Sequence, residues 1–197
     1  MKKHLILGLL SLIVMLDSCK KDKNSDTTAG VQGTYKLKYL TSKTNAVATG
    51  TTGDKSVTTS DYTTINNQGT LVFDNSNLTA TGLTYTVDAD AKYSLFQDNQ
   101  LIDSSSFPFT FTLPASSSMA AYLLIGADSI YFPQGSLTSG VGGTGSMQSG
   151  ASGGRYSITG NLLTLTQIFS KDSTFSDSGE TIHLTESAVS SVVMEKQ

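Results

Sequence analysis

Residues 155–169 read RYSITGNLLTLTQIF, with alternating polar and apolar residues on either side of Gly160-Asn161. Alternation with a period of two is typical of a strand that has one face in a core and the other in solvent. Gly-Asn is a two-residue sequence that favours the tight turn of a β-hairpin. The stretch therefore predicts an antiparallel hairpin with strands over Arg155–Thr159 and Leu162–Phe169.

The same alternation recurs along most of the chain. Asp98-Asn99 indicates another tight turn, and Pro108 places the run Phe107–Leu113 at a sheet edge or at a strand start, because proline has no backbone N–H. Ala115–Ala121 is the one modest helical candidate. Further strands are predicted over Val31–Leu40, Gly69–Asp74, Leu83–Val87, Ala91–Phe96, Gln100–Ile102, Ala121–Ile125, Ser129–Phe132, Thr181–Thr185 and Val189–Met194.

Many short strands joined by tight turns predict an all-β, antiparallel fold. Such a sheet has to close on itself or pair with a second sheet, because exposed strand edges promote aggregation. We expect an up-and-down barrel of about eight to ten strands over residues 31–197, with a β-sandwich as the alternative.

The start of the chain has the layout of an export signal. Two lysines give a positive charge, the apolar run Leu5–Leu16 is too short to span a bilayer, and Leu16-Asp17-Ser18-Cys19 follows. This ending resembles the lipobox of bacterial lipoproteins. The resemblance implies that residues 1–18 are a cleaved signal peptide, that Cys19 is lipidated, and that residues 19–30 contain a flexible polar tether.

Cys19 is the single cysteine of the chain, and an unpaired thiol in an exported protein would form wrong disulfides. Acylation would remove that risk and would make the membrane a partner through the lipid anchor. In Gram-negative lipoproteins an Asp directly after the lipidated cysteine can retain the protein at the inner membrane, whereas this chain has Lys20. The resemblance therefore implies the outer membrane of the cell envelope, with either face open.

Two further stretches resemble lipocalin-like lipoproteins of the Gram-negative envelope. Gly33-Thr34-Tyr35-Lys36-Leu37 is similar to the Gly-x-Trp start of the first lipocalin strand, with Tyr35 in place of Trp. Residues 155–166 are similar to a late hairpin with the pattern Tyr-x-Ile-x-Gly-Asn-x-Leu-x-Leu. The resemblance implies a lipocalin-like barrel that holds a small apolar molecule or lipid.

Inward-facing residues of such a barrel either line a ligand cavity or fill the core, and the alternation alone leaves both interpretations open. We expect Phe107, Phe109, Phe111 and Leu113 to share one inward face. The candidate cavity or core residues are Tyr35, Leu37, Tyr85, Phe107, Phe109, Phe111 and Tyr156.

The composition argues against nucleic acid as a partner. The formal net charge is −3, and the chain has 13 basic against 16 acidic residues. Nucleic-acid-binding domains instead carry a basic patch that neutralises phosphates.

No motif supports a catalytic, metal or cofactor site. Residues 140–145 match Gly-x-Gly-x-x-Gly, but the Gly/Ser-rich residues that follow cannot form the helix that a dinucleotide site requires. The surrounding stretch, 135–154, is interpreted as an inserted loop, with a flap over the barrel mouth as the alternative. His183 is expected at the surface, and Asp88, Asp90, Asp98 and Asp103 are expected near turns.

The sequence thus predicts an anchored envelope protein that is not an enzyme and needs no cofactor. Its expected function is a binding module for a small apolar molecule or lipid. The alternative is a structural or surface-interaction lipoprotein with a filled barrel and no small ligand.

Overall fold

The computed structural model describes residues 30–134, 151–177 and 179–197. These residues form one antiparallel sheet of ten strands and contain no α-helix. The all-β, antiparallel prediction is therefore confirmed. The strands are β1 (Gly33–Gly50), β2 (Lys55–Thr63), β3 (Ile65–Phe73), β4 (Asn77–Gln97), β5 (Gln100–Ala121), β6 (Leu123–Ile125), β7 (Ser129–Phe132), β8 (Ser152–Thr159), β9 (Leu162–Asp177) and β10 (Glu180–Lys196).

The chain crosses the sheet in a simple order. β2 and β3 follow one another between β1 and β4, while the other edge of β1 pairs with β10. From β10 the pairing continues through β9, β8 and β7 to β6. β5 pairs with β4, and the chain then runs through Tyr122 into β6, which pairs with β7. One stretch, residues 100–125, therefore lies at both ends of the sheet.

Three long hairpins give the molecule two parts. One part, here called the blade, comprises residues 43–61, 88–110, 168–177 and 179–189, and its strands run in the order β5-β4-β2-β1-β10-β9. The remaining described residues form the core end. At about 3.3 Å per residue the blade extends roughly 25 Å beyond the core end.

Apolar side chains concentrate at the core end, where alternate residues of each strand point to a shared interior. Tyr35, Leu71, Phe73, Leu163 and Met194 are among the most completely buried side chains. In the blade the same faces continue, but most of the residues are only half-buried or exposed.

The two tight turns predicted from the sequence, at Asp98-Asn99 and Gly160-Asn161, are present in the structure. Asp98 and Asn99 have φ values of 51° and 63°, as a two-residue turn with a left-handed backbone requires. Gly160 has a φ of 61° in the turn between β8 and β9. Pro108 lies in β5, which among the described strands pairs with β4 alone, so its missing N–H weakens no inner ladder of this sheet. Both turn predictions and the edge placement of Pro108 are confirmed.

Several predicted boundaries are wrong because the strands are longer than their alternating cores. Ala115–Ala121 is not helical but belongs to β5, where backbone pairing with β4 overrides its weak helical propensity. Thr181–Thr185 and Val189–Met194 form one strand. Asp88 and Asp90 lie in the middle of β4 and not near a turn, and Asp103 lies within β5.

Other predictions concern residues outside the described ranges. These are the signal peptide 1–18, the lipidated Cys19, the tether up to residue 29, the Gly-x-Gly-x-x-Gly match and most of the loop predicted over 135–154. Within the described ranges, no helix has both the length and the apolar character needed to cross a membrane.

Candidate functional site

Aromatic residues pack the core end. Tyr35 and Tyr122 each meet Phe73 edge to face, with ring centroids 5.7 and 5.5 Å apart. The Tyr35 hydroxyl donates to the Val31 carbonyl at 2.9 Å, and the Tyr122 hydroxyl donates to the Asp74 carbonyl at 2.5 Å. Tyr35 and Tyr122 therefore have hydrogen-bond partners for their hydroxyls and act as structural residues.

Four of the candidate cavity or core residues belong to this packed core, namely Tyr35, Leu37, Tyr85 and Tyr156. Burial is the largest cause that raises the pKa of Tyr85 above its ordinary value of 10, and the nearby Tyr62 raises it further. These residues are core and not the lining of an open cavity.

The inner face of the blade, which continues the core-facing side of the strands, has a different pattern. One complete cross-strand row begins with Phe169 on β9 and ends with Phe107 on β5. The residues between them, one from each intervening strand, all have small side chains: Ala188, Thr44, Ser60 and Ala91. Paired strands lie about 4.8 Å apart, so the two Phe residues are separated by roughly 24 Å along the sheet.

The small residues continue toward the tip of the blade. The inner face of β1 has Ala46, Ala48 and Gly50 beyond Thr44, and the inner face of β2 has Thr58 and Ser56. Larger residues occupy the flanking strands at the same levels: Tyr93 and Leu95 on β4, and Glu186, Leu184 and Ile182 on β10, so that the β10 side carries one charged residue beside Ala46. The larger side chains on β4 and β10 stand above the small side chains on β1 and β2. Together they form a channel that runs parallel to the strands, which we call the trough, and β1 and β2 form its floor.

The other candidates lie beside the trough. Phe109 and Phe111 are half-buried and stack with centroids 6.5 Å apart, and Phe109 meets Tyr62 edge to face at 6.3 Å. Phe107 shares their face of β5 but is 47% exposed. The predicted shared face is therefore present, and Phe107 is more exposed than Phe109 and Phe111 because it lies beyond the core, on the blade.

A polar row separates the trough from the core. Gln167, Ser190, Ser42 and Tyr62 are directly paired across β9, β10, β1 and β2. The Ser42 and Ser190 hydroxyls are hydrogen-bonded at 2.9 Å. Gln167 is only 5% exposed, and its Nε2 donates to Ser152 Oγ at 3.2 Å, while its Oε1 is buried without a hydrogen-bond partner.

Gly154 makes room for this glutamine. It is paired with Gln167, and a Cβ on Gly154 would lie 2.6 Å from the Thr166 carbonyl oxygen and 3.0 Å from Gln167 Cγ. Only a residue without a side chain fits there, so the polar row depends on glycine in β8.

The outer face of the blade is polar. Lys43 and Asp61 form an ion pair at 3.0 Å, and both side chains are largely exposed, which limits its contribution to stability. With Thr59, Asp90 and Lys92 they border an open groove of about 620 Å³, which Thr44, Ser60 and Ala89 also line. None of these described residues has a buried side-chain atom without a hydrogen-bond partner, so nothing in the groove defines a ligand.

The described residues contain no cluster of three or more His, Cys, Asp or Glu residues that could hold a metal ion. His183 is exposed on β10, with its Nδ1 3.1 Å from Thr174 Oγ1, as its predicted surface position requires. Asp88 accepts a hydrogen bond from Thr110 at 2.9 Å on the outer face. These contacts tie neighbouring strands together.

Comparison of the chain with protein-family models, with curated proteins and with solved structures found no significant match. Because no match suggests a function, we base the functional proposal on the trough of the described residues.

Sequence analysis missed the floor of the trough. Residues 44–50 read TNAVATG, in which alternate residues are small, and the strand Lys55–Thr63 was not predicted because it has almost no large apolar residue. Small residues give a weak strand signal, since propensity scales reward bulky and β-branched side chains. The pattern that could have indicated the floor is the run of small residues at alternate positions, in strands that lie between strands with aromatic residues.

Proposed function

We propose that this protein is a lipid-anchored protein of the bacterial envelope whose blade holds an elongated apolar molecule, such as an acyl chain, in the trough. The proposed anchor is Cys19, on the basis of the export layout and the single cysteine. The observation that carries the binding proposal is the row from Phe169 to Phe107 with four small residues between them.

The shape of the trough favours a linear ligand. The floor from Thr44 to Gly50 is roughly 20 Å long at 3.3 Å per residue. Each methylene that is removed from water contributes about 0.8 kcal/mol, so a chain that lies along the floor gains affinity in proportion to its length. The hydroxyls of Ser56 and Thr58 also offer hydrogen bonds to polar groups along such a chain.

The proposal includes a short lipocalin-like barrel at the core end. Support comes from the stretch 100–125, which pairs with β4 through β5 and with β7 through β6, so that one chain segment joins both ends of the sheet. The backbone N–H of Tyr122 donates to the Ser76 carbonyl at 2.8 Å at this junction. In this arrangement the blade is an extension of one side of the barrel wall.

The second candidate function is a structural or surface-interaction lipoprotein with a filled barrel. The burial of Tyr35, Leu37, Tyr85 and Tyr156 in one core cluster favours it, because a filled interior leaves no place for a ligand there. The two candidates differ in whether the blade binds a small apolar molecule.

The test is titration of the full chain with N-phenyl-1-naphthylamine, an uncharged apolar dye whose fluorescence rises on binding. Ala46→Phe places an aromatic ring on the floor of the trough, whereas Val47→Phe places the same ring on the outer face of the same strand. We expect Ala46→Phe to weaken dye binding by at least about tenfold, which corresponds to ~1.4 kcal/mol, and Val47→Phe to leave it unchanged.

Both variants keep the N-terminal residues, so dye that partitions into an attached lipid contributes equally to both. Native mass spectrometry of the parent protein, with a search for a small molecule that co-purifies, supplies the second measurement. Equal dye binding by the two variants would rule out the trough as the site and would favour the filled-barrel candidate.

A further inference from the structure

The trough is polar at one level along its length, the level of Ala46. In the row of directly paired residues at this level, Glu186 on β10 and Tyr93 on β4 stand on the two sides, and Thr58 lies on the floor beside Ala46. On the same faces of β10 and β4 the next residues in both directions are apolar, namely Ala188, Leu184, Ala91 and Leu95. One polar level therefore interrupts two apolar sides.

Glu186 presents a half-buried carboxylate to the trough. Its directly paired neighbour on β9 is Lys171, which is exposed, so water screens the charge of this lysine. In the described part of the chain, the ion pairs join other residues, and no side-chain hydrogen bond involves Glu186, Thr58 or Tyr93. The acceptor oxygens of these three side chains are therefore available to a ligand.

A ligand that covers the floor at Ala46 also covers the carboxylate of Glu186. Removing a charge from water without a partner costs more free energy than an apolar contact returns. This level therefore disfavours a chain that is apolar throughout. A protonated amine supplies the opposite charge and three N–H donors, for which the carboxylate and the hydroxyls of Thr58 and Tyr93 are acceptors.

The charge of the blade favours the same class of ligand. The described residues of the blade include ten acidic residues and four lysines. The strand pairings place four acidic residues and three lysines on its outer face, which is nearly balanced. The inner face has Lys171 as its single lysine and four acidic residues, namely Asp103, Asp177, Glu180 and Glu186. The face that contains the trough therefore attracts cations and repels anions.

We propose that the ligand of the trough is a cationic amphiphile, a long-chain amine whose ammonium group binds Glu186 while its alkyl chain lies along the floor. The inference rests on the proposed binding function of the trough and adds the chemical class of its ligand. Glu186 is then the residue that selects cationic over anionic amphiphiles, because a carboxylate or sulfate head group at this level meets a like charge.

Competition with N-phenyl-1-naphthylamine on the full chain tests this selection. Decylammonium, 1-decanol and decanoate share one chain length and differ in head-group charge at pH 7, where a primary amine is protonated and a carboxylic acid is ionised. Each is added below its critical micelle concentration to protein that has bound the dye. We expect decylammonium to displace the dye at a concentration at least about tenfold lower than 1-decanol does, with decanoate the weakest competitor.

Two matched variants assign the selection to one carboxylate. Glu186→Gln keeps the size of the side chain and removes its charge, whereas Asp90→Asn removes one charge from the outer face of β4. Glu186→Gln should lose the advantage of decylammonium over 1-decanol, and Asp90→Asn should keep it. Equal displacement by the three compounds, or the same loss in both variants, would overturn the proposal. A preference for decanoate that Lys171→Met abolishes would also overturn it, in favour of an anionic head group.

Failure of the proposed function gives a different result. If Ala46→Phe binds the dye as tightly as the parent protein does, the trough is not the binding site. If Ala46→Phe weakens dye binding but the parent shows no preference for decylammonium, the trough remains the site and selection by Glu186 is excluded.

Discussion

Phe107 and Phe169 lie at opposite ends of a single row of paired residues on the inner face of the blade, although 62 positions separate them in the sequence. Each belongs to an outer strand of the blade, and the four strands between them contribute only small side chains. This arrangement leaves apolar surface half-exposed beyond a packed core. Surface of this kind in a soluble domain is typical of a site that another molecule covers.

The β5 phenylalanines test where the core ends. Phe109→Ala and Phe111→Ala should each reduce the free energy of unfolding by about 2 kcal/mol, less than the ~3–5 kcal/mol of a fully buried Phe, because both rings are half-buried. Phe107→Ala should lower the free energy of unfolding by less than about 1 kcal/mol. Urea denaturation measures all three. Thr110→Ala, on the outer face, is the control and should be nearly neutral. If Phe107→Ala lowers the free energy of unfolding as much as Phe111→Ala does, Phe107 does not lie outside the core as described.

The glycine pair of β8 tests the space around the polar row. Gly154→Ala should destabilise the protein by about 1–3 kcal/mol, because its Cβ would approach the Thr166 carbonyl and Gln167 Cγ. Gly153→Ala is the matched control, since its Cβ would meet only the Ile130 carbonyl at 3.8 Å. Thermal melting of both variants is the measurement. Equal melting temperatures of the two variants would show that β8 can move away from β9 to accept the Cβ at position 154 without loss of stability.

Because Gln167 Oε1 is buried without a hydrogen-bond partner, we expect that replacing this side chain does not lower the free energy of unfolding. Gln167→Met removes a buried acceptor that lacks a donor and keeps the length of the side chain, so we expect stability to stay the same or to rise by about 1 kcal/mol. Ser190→Ala, in the same row, should cost about 1–3 kcal/mol because it leaves the buried Ser42 hydroxyl without its partner. A large loss of stability in Gln167→Met would mean that the amide has a stabilising role.

Acid sensitivity should depend on Asp74. Backbone N–H groups of Ser76 and Asn77 donate to its carboxylate and lower its pKa below the ordinary 3.8. A lowered folded-state pKa contributes stability above the unfolded pKa, and this contribution is lost as the pH falls through the folded pKa. Asp74→Asn keeps an acceptor but cannot titrate.

The melting temperature of Asp74→Asn should therefore fall less than that of the parent between about pH 5 and pH 2. Glu195, whose pKa is lowered mainly by its hydrogen bond to Lys38, titrates in both proteins and gives a common background. An equally steep fall in both proteins would exclude Asp74 as a source of the acid response.

The lipid anchor has a direct test. Cys19→Ala removes the thiol that would carry the lipid, so the protein should move from the membrane fraction to the soluble fraction after export. Mass spectrometry of the parent protein should give the mass of a chain that begins at Cys19 with attached acyl groups. Membrane retention of the variant at the level of the parent would place the anchor elsewhere.

Strong alternation made the fold class predictable. The hairpin at Gly160-Asn161 and the turn at Asp98-Asn99 are local, because two or three residues determine the backbone of a tight turn. Strand length was less predictable, since the blade continues each strand past the last large apolar residue. The strand pairing of Gly50 with Ile182 involves residues far apart in the sequence, and no local pattern indicates it.

The site was predictable only in part. Phe107, Phe109 and Phe111 were singled out because large rings mark an inward face. Tyr35 and Tyr85 had the same pattern but are core residues, because burial depends on what lies opposite and not on alternation. Whether an inward face is filled or open is decided by packing between strands that are distant in the sequence.

The pairing of β1 with β10 has a consequence for how the protein forms. β1 can pair with β2 and β3, which follow it closely in the sequence, but its other edge has to wait for residues that come about 130 to 160 positions later. Until then a long strand with unpaired backbone groups stays open to any neighbouring chain. High contact order makes this last step slow. The folding chain is therefore most vulnerable to aggregation before β10 pairs with β1, while that edge of β1 is still unpaired.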